Sequence, residues 1–188
     1  MNSRFFLVIA VLQLSLAGFA QNQPKIQWLG FSQLEDSLAT NPKKVFIDFY
    51  ADWCAPCLKM QKDVFTKSAI IKELNLHYYA VKMNVESKDT IVFGNQVFIN
   101  KRINKRNPLH QIPLLMASQK NKEFSLPALV FLDENFKATA RYFQYLNTKQ
   151  LLEILVSKDN RIDSKPRSFC RLSYDSWTSL NFCSAPFL

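Results

Sequence analysis

Lys44-Val45-Phe46-Ile47-Asp48-Phe49-Tyr50-Ala51-Asp52-Trp53-Cys54-Ala55-Pro56-Cys57 is the stretch on which the reading of this chain turns. Its first seven residues are nearly continuous in apolar content, the pattern of a strand covered on both faces. One acid, Asp48, interrupts them. From about Cys54 to Leu74 the pattern changes. Met60, Val64, Phe65, Ile70, Ile71 and Leu74 mark a loosely helical apolar face and predict one long helix. A Cys-x-x-Cys pair therefore falls directly after a strand and opens a helix, which is a specific arrangement. Helix N-termini carry free amide donors and the positive end of the dipole, and both favour a thiolate over a thiol. Cys54 is expected to be the exposed nucleophile, with Cys57, one turn in, more buried. Pro56 sits in the first turn, where its missing N–H does little harm, and stiffens the loop. Such a pair can cycle between dithiol and disulfide: Cys54 attacks a substrate disulfide, a mixed disulfide forms, and Cys57 resolves it.

Two plainer readings of the pair compete with this one. A bridge closing so small a loop removes little chain entropy, so it would be a poor staple. Zinc needs four ligands, usually two close pairs. The remaining cysteines, Cys170 and Cys183, are widely spaced, and His77 and His110 stand alone, so no metal site is expected.

Working outward, Ile26 to Leu29 is short and apolar, a candidate edge strand. Ser32-Gln33-Leu34-Glu35 has the form of a capping box opening a helix that Asn41-Pro42 stops. His77 to Val85 reads as a strand. Thr90 to Asn100 reads as a strand or part of a hairpin, Lys101 to Asn107 as a basic loop, and Pro113 to Lys120 as a short helix with proline at its first position. Ala128 to Asp133 and Lys137 to Phe143 form two strands about Glu134-Asn135, and Thr148 to Val156 an amphipathic helix. This alternation predicts a mostly parallel sheet with helices on both faces and an antiparallel edge. No internal repeat is visible.

Composition narrows the chemistry. The 188 residues suit one domain plus tails, and 48% hydrophobic with 21% charged is ordinary globular usage. Only 3 residues are glycine, none spaced for a G-x-G-x-x-G turn or a P-loop, so reactivity must come from side chains. The formal charge of +9 is spread along the chain without an interleaved aromatic nucleic-acid module, and no nucleic-acid partner is expected. At the N-terminus, Arg4, the apolar run Phe5 to Leu16 and the small residues Gly18 and Ala20 follow the three-part pattern of a signal peptide. Residues 1–20 are read as that leader, 21–156 as the folded domain and 157–188 as a C-terminal extension. Removal of the leader leaves no stable membrane insertion. Export implies an oxidising compartment. Cys170 and Cys183 are then read as a bridge pinning the tail, a relay to Cys54, or free thiols.

The segment Asp48 to Cys57 resembles the active-site region of the thioredoxin superfamily. Leu58-Lys59-Met60 and Asp63-Val64-Phe65 make it similar to the exported, DsbD-type branch. The resemblance runs from roughly Ile26 to Val156. It implies an α/β thioredoxin fold: a central mixed sheet with helices on both faces, and an insertion, about 87–123, before the cis-proline strand. Asp48 stands where the family places its buried acid, Lys82 matches the lysine paired with that acid, Leu126-Pro127 matches the cis-proline loop, and Trp53 matches the tryptophan beside the nucleophile. The resemblance thus implies Cys54, Cys57, Asp48 and Lys82 as the catalytic set and Trp53, Ala55, Pro56, Leu126 and Pro127 as the substrate-contact surface. It implies no bound cofactor. The implied partners are protein thiols or disulfides and an upstream dithiol that donates electrons, and a monomer is expected. Three positions depart from the pattern: Ala55 replaces the usual glycine, Leu58 follows Cys57, and Gln144 stands where many members have glycine. The activity expected is that of an exported thiol–disulfide oxidoreductase, with protein-disulfide reduction favoured. Oxidase or isomerase activity and a redox-controlled binding module are the competing expectations. The location is periplasmic if the source is bacterial and the secretory pathway otherwise.

Overall fold

A computed structural model describes residues 24–159. The leader (1–20), most of the C-terminal extension (157–188) and the pair Cys170 and Cys183 lie outside the described residues. Seven strands are present among the described residues: β1 (Trp28–Leu29), β2 (Lys44–Tyr50), β3 (Tyr78–Asn84), β4 (Ile91–Phe93), β5 (Gln96–Phe98), β6 (Ala128–Leu132) and β7 (Ala138–Tyr142). The helices are α1 (Phe31–Thr40), α2 (Ala55–Asp63), α3 (Ser68–His77), α4 (Gln111–Ala117) and α5 (Thr148–Asp159). The main sheet runs β1-β3-β2-β6-β7, with β2 and β1 parallel to β3 and with β6 antiparallel to its neighbours β2 and β7. It is the mixed sheet expected, with helices on both faces. No helix among the described residues is long and apolar enough to cross a membrane.

The strand alternation of β2 explains the two layers, since successive side chains point to opposite faces. Val45, Ile47 and Phe49 join α1, the β4–β5 hairpin and the cysteine turn in one buried cluster. Phe46 points to the other face, where Met60 of α2, Ile70, Ile71 and Leu74 of α3, and Leu151 and Leu155 of α5 cover it. Asp48 follows Phe46 at the same parity and shares that second face.

Three local expectations are corrected. The single long helix is two, α2 and α3, divided at residues 64–67. The five-residue step from Phe65 to Ile70 is out of phase with a helical face. The break lets Val64 and Phe65 both enter the core, while Thr66 Oγ1 donates back to the Lys62 carbonyl at 2.6 Å. The cap of α1 is Gly30 and not Ser32: Gln33 Oε1 accepts from the Gly30 amide at 2.9 Å. Glu35, released from that role, accepts from the Gly94 amide at 3.0 Å. The third correction concerns α4, which starts at Gln111 and places Pro113 third, still within the first turn where no backbone donor is needed.

The region 87–123 contains the β4–β5 hairpin and α4. Its turn, Gly94-Asn95, has φ of 59° and 56°, the positive pair that a two-residue hairpin turn requires. Phe93 and Phe98 are buried in the main core, and Phe93 packs edge-on against Phe31 of α1 with ring centroids 5.5 Å apart. The insertion is therefore part of the hydrophobic core.

Candidate active site

Cys54 ends the segment that leaves β2 and caps α2. Its backbone is extended (φ −78°, ψ 92°), and its sulfur accepts from the Cys57 amide at 3.2 Å. Ala55 and Pro56 occupy the first two helical positions. The two cysteines are joined as a disulfide with Cα atoms 5.2 Å apart. Cys54 is 3% exposed and Cys57 1%, so Cys54 is not the open thiol expected. In the oxidised state the bond turns its sulfur towards Cys57, and both sit in the apolar cluster with Ala51 and Ala128, with Leu126 packed against it. Asp52, Trp53, Ala55 and Pro56 are the exposed residues of the turn, with Trp53 at 68% the large apolar one.

The Leu126-Pro127 peptide bond is cis. The pairing of Ala128 with Phe49 brings the start of β6 to the end of β2, so the Leu126-Pro127 loop meets the sheet at the end from which the cysteine turn departs.

Asp48 and Lys82 are register partners on the adjacent parallel strands β2 and β3. Their side chains are in unlike settings. Asp48 is buried, and its Oδ2 has no hydrogen-bond partner. Burial raises its carboxyl from 3.8 to about 7, against a smaller downward pull from the Lys82 charge. The Lys82 ammonium lies over the Tyr50 ring, 4.5 Å from its centroid. Burial, with smaller contributions from Asp52 and Asp48, also pushes the Tyr50 phenol up, so the ring stays neutral.

A polar chain surrounds the turn. Trp53 Nε1 donates to Glu86 Oε1 at 2.9 Å, the Glu86 amide donates to Asn84 Oδ1 at 2.9 Å, and Asn84 Nδ2 donates to Asp52 Oδ2 at 3.1 Å. Tyr50, Asn84 and Glu86 carry no motif that sequence reading singled out. Strand parity could have found Tyr50, which stands two residues from Asp48 and so on the same face. Glu86 has no such signal, because its contact spans 33 positions. His110 is a buried structural residue. Its Nδ1 accepts from the Ile112 amide at 3.2 Å and caps α4, and Nε2 lies 3.1 Å from the Asp89 carbonyl. Among the described residues no group of three or more His, Cys, Asp or Glu could hold a metal.

A Cys-x-x-Cys disulfide at a helix N-terminus, a cis-proline loop packed against its cluster and a buried acid on the strand that leads into it make up the arrangement of a thioredoxin-type site. Comparison with known proteins agrees. The family model of the thioredoxin-like domain matches residues 31–157, and the chain belongs to that family. The thiol:disulfide interchange protein DsbD of Campylobacter jejuni is 28% identical over 93 residues, which cover 50% of this chain and 15% of that protein. Thioredoxin 1 of Chlorobaculum tepidum is 36% identical over 55 residues, covering 29% of this chain and 52% of the other. The matched stretches thus span well under two thirds of these relatives. Among solved structures, the DsbH oxidoreductase superposes with a TM-score of 0.51 at 18% identity, covering 74% of this chain and 91% of its own. A thioredoxin from Thermus thermophilus superposes with a TM-score of 0.52 at 12% identity, covering 72% and 88%. The chain is a thioredoxin-like domain, with Cys54 and Cys57 joined as a disulfide at the head of α2.

Proposed function

We propose that this chain is an exported protein-disulfide reductase that works as a monomer. The observation that carries this reading is the placement of Cys54: its sulfur caps α2 and takes the Cys57 amide, a donor that would hold a thiolate in the reduced state. Reduced Cys54 attacks a substrate disulfide. That bond breaks, one substrate thiolate leaves, and a mixed disulfide joins the substrate to Cys54. Cys57 then gives its proton to the Asp48 carboxylate and attacks the Cys54 sulfur. The second substrate thiolate leaves, and protonation from Asp48 completes its return to thiol. The substrate gains two electrons, and the chain ends as the Cys54–Cys57 disulfide. An upstream dithiol restores it. Lys82 tunes Asp48 by charge. Trp53, Ala55, Pro56, Leu126 and Pro127 form the surface that meets the substrate chain, which can add to the Leu126 backbone as an extended segment.

Reduction is favoured because the proline inside Cys-Ala-Pro-Cys and a buried Asp48 are features of the reducing members that the site resembles. Residues 1–20 act as the export leader, the domain extends over 21–156, and 157–188 follow as an extension. A bacterial source places the domain in the periplasm, and a eukaryotic one in the secretory route.

The deciding measurement is the Cys54–Cys57 reduction potential in a glutathione or dithiothreitol buffer. A value near the thioredoxin end, about −270 mV, is expected, and one near about −120 mV makes the chain an oxidant. Cys57→Ser should trap substrates on Cys54 as mixed disulfides and abolish turnover. A protein that only binds partners would keep them unchanged in that variant. Mass analysis of the secreted protein should find Gln21 as the first residue.

A further inference from the structure

The cation seat beside the buried acid has a consequence for how that acid works. Asp48 and Tyr50 stand two apart on β2, at the same strand parity, and Lys82 stands opposite Asp48 on β3. The Lys82 ammonium therefore has two seats within reach, a carboxylate and an aromatic face. It takes the aromatic face, 4.5 Å from the Tyr50 centroid, and Asp48 Oδ2 is left buried and unpartnered. A cation over a ring is held by the ring quadrupole, more strongly when partly desolvated. We infer that Tyr50 is a positioning residue for the redox site: its ring holds the Lys82 ammonium off the Asp48 carboxylate, so that Asp48 stays free to take and return a proton.

This inference rests on the proton role proposed for Asp48, but its geometry is separately testable. The groups that bear on Asp48 are few. Lys82 faces it from β3, Tyr50 follows on its own strand, and the β6 residue in register is the apolar Leu129. From the helical layer its neighbour Phe46 meets Met60, also uncharged. Asp52 bears on Tyr50. Without the ring, the ammonium has one seat left, and an opposite charge within about 4–6 Å lowers a carboxyl by about 1–3 pH units.

The experiment is a carboxyl titration of Asp48 by carbon NMR on the full-length oxidised protein, with Tyr50→Leu, Tyr50→Phe and Lys82→Met variants. Tyr50→Leu should move the Asp48 midpoint down by about one pH unit or more. Tyr50→Phe, which keeps a ring, should leave it in place. On a Lys82→Met background, Tyr50→Leu should move nothing. Should Tyr50→Leu not fold, Tyr50→Met fills the space without a ring and carries the same expectation. An unmoved midpoint in the ringless variant overturns the inference, and so does a shift that persists without Lys82. The pH profile of mixed-disulfide resolution separates the two claims. A moved Asp48 midpoint with an unmoved rate profile supports the seat for Lys82 and removes the proton role of Asp48.

Discussion

Two buried titratable side chains, Asp48 in the central sheet and His110 in the insertion, are handled in opposite ways. Asp48, on the strand that leads into the cysteine turn, is buried with Oδ2 unbonded, and its carboxyl rises to about 7. His110, at the base of the insertion, is fully buried with both ring nitrogens engaged, and its burial lowers it below 6.5. With Nδ1 accepting from Ile112, the Nε2–H tautomer donates to Asp89. Nearby, Asn100 is treated like His110: its Nδ2 donates to the Ser87 and Pro108 carbonyls, and its Oδ1 accepts from the Arg102 amide at 3.0 Å. A buried polar group with its partners in place fixes a fold, while one left short of partners is a store of free energy. The buried His110 and Asn100 of the insertion are spent on structure, while the sheet keeps one buried acid, Asp48, short of a partner.

The comparison breaks or holds most visibly at Asp48. A carboxyl at about 7 when folded and near 3.8 when unfolded favours the folded state only while it is protonated. That contribution is complete below pH 3.8 and is lost as pH rises from there through about 7. At about 1.4 kcal/mol per pH unit, the loss is on the order of 4 kcal/mol. Asp48→Asn removes the ionisation, so denaturant unfolding of the oxidised protein above pH 7 should show a gain of that order, and little gain at pH 4. The same variant should slow resolution of the mixed disulfide by about 10²–10⁴-fold, the range of a positioned acid–base group. An oxidised variant no more stable than the parent at pH 8 would mean that the carboxylate is well solvated after all.

At His110 the pH dependence has the opposite sign. A histidine lowered by burial contributes stability that is complete above its unfolded value near 6.5 and is lost as pH falls below it. His110→Ala removes a helix cap, which accounts for about 1 kcal/mol. It also leaves the Asp89 carbonyl without a buried donor, for about 1 kcal/mol more. The expected loss is about 2 kcal/mol at pH 7, read by thermal or denaturant unfolding. His110→Asn keeps an acceptor for the Ile112 amide and should recover about half. It should also flatten the fall below pH 6.5. An alanine variant as stable as the parent would place His110 outside the insertion's framework.

The two regions also differ in how far a sequence reader can see them. Strand β2, the cysteine turn and the pair β6–β7 follow from continuous or alternating apolar patterns and from residue types at short spacing, whereas Asp48 opposite Lys82 was legible only through the family resemblance. The break between α2 and α3 was visible only as a phase slip from Phe65 to Ile70, which a reader counting apolar residues passes over. The insertion was ambiguous for a different reason. Its order comes from Asn100 and His110 bonding to backbone carbonyls of distant residues, and such bonds leave no period in the sequence. A cysteine opening a helix reads as an exposed, activated nucleophile. The disulfide-bonded Cys54 instead packs among Ala51, Cys57 and Ala128. Tyr50 escaped notice because an aromatic residue in a buried strand reads as core, although its ring also seats a cation.

The smallest effect sharpens the contrast at the far end of the insertion. Glu35 on α1 accepts from the Gly94 amide, the one side-chain hydrogen bond from α1 to the hairpin turn among those described. The turn is half-exposed, so water can replace the lost acceptor. Glu35→Ala should therefore cost less than about 1 kcal/mol in global stability. The apolar anchoring by Phe93 against Phe31 and Phe136 is untouched. What should change is local: amide exchange at Gly94 should speed up several-fold, while amides of β2 and β6 keep their rates, because a turn opens at lower free energy than the central strands. If the β4 and β5 amides were to exchange faster together with Gly94, the hairpin would hang on its polar tether and not on its two phenylalanines. The insertion would then be a hinged flap in place of a piece of the core.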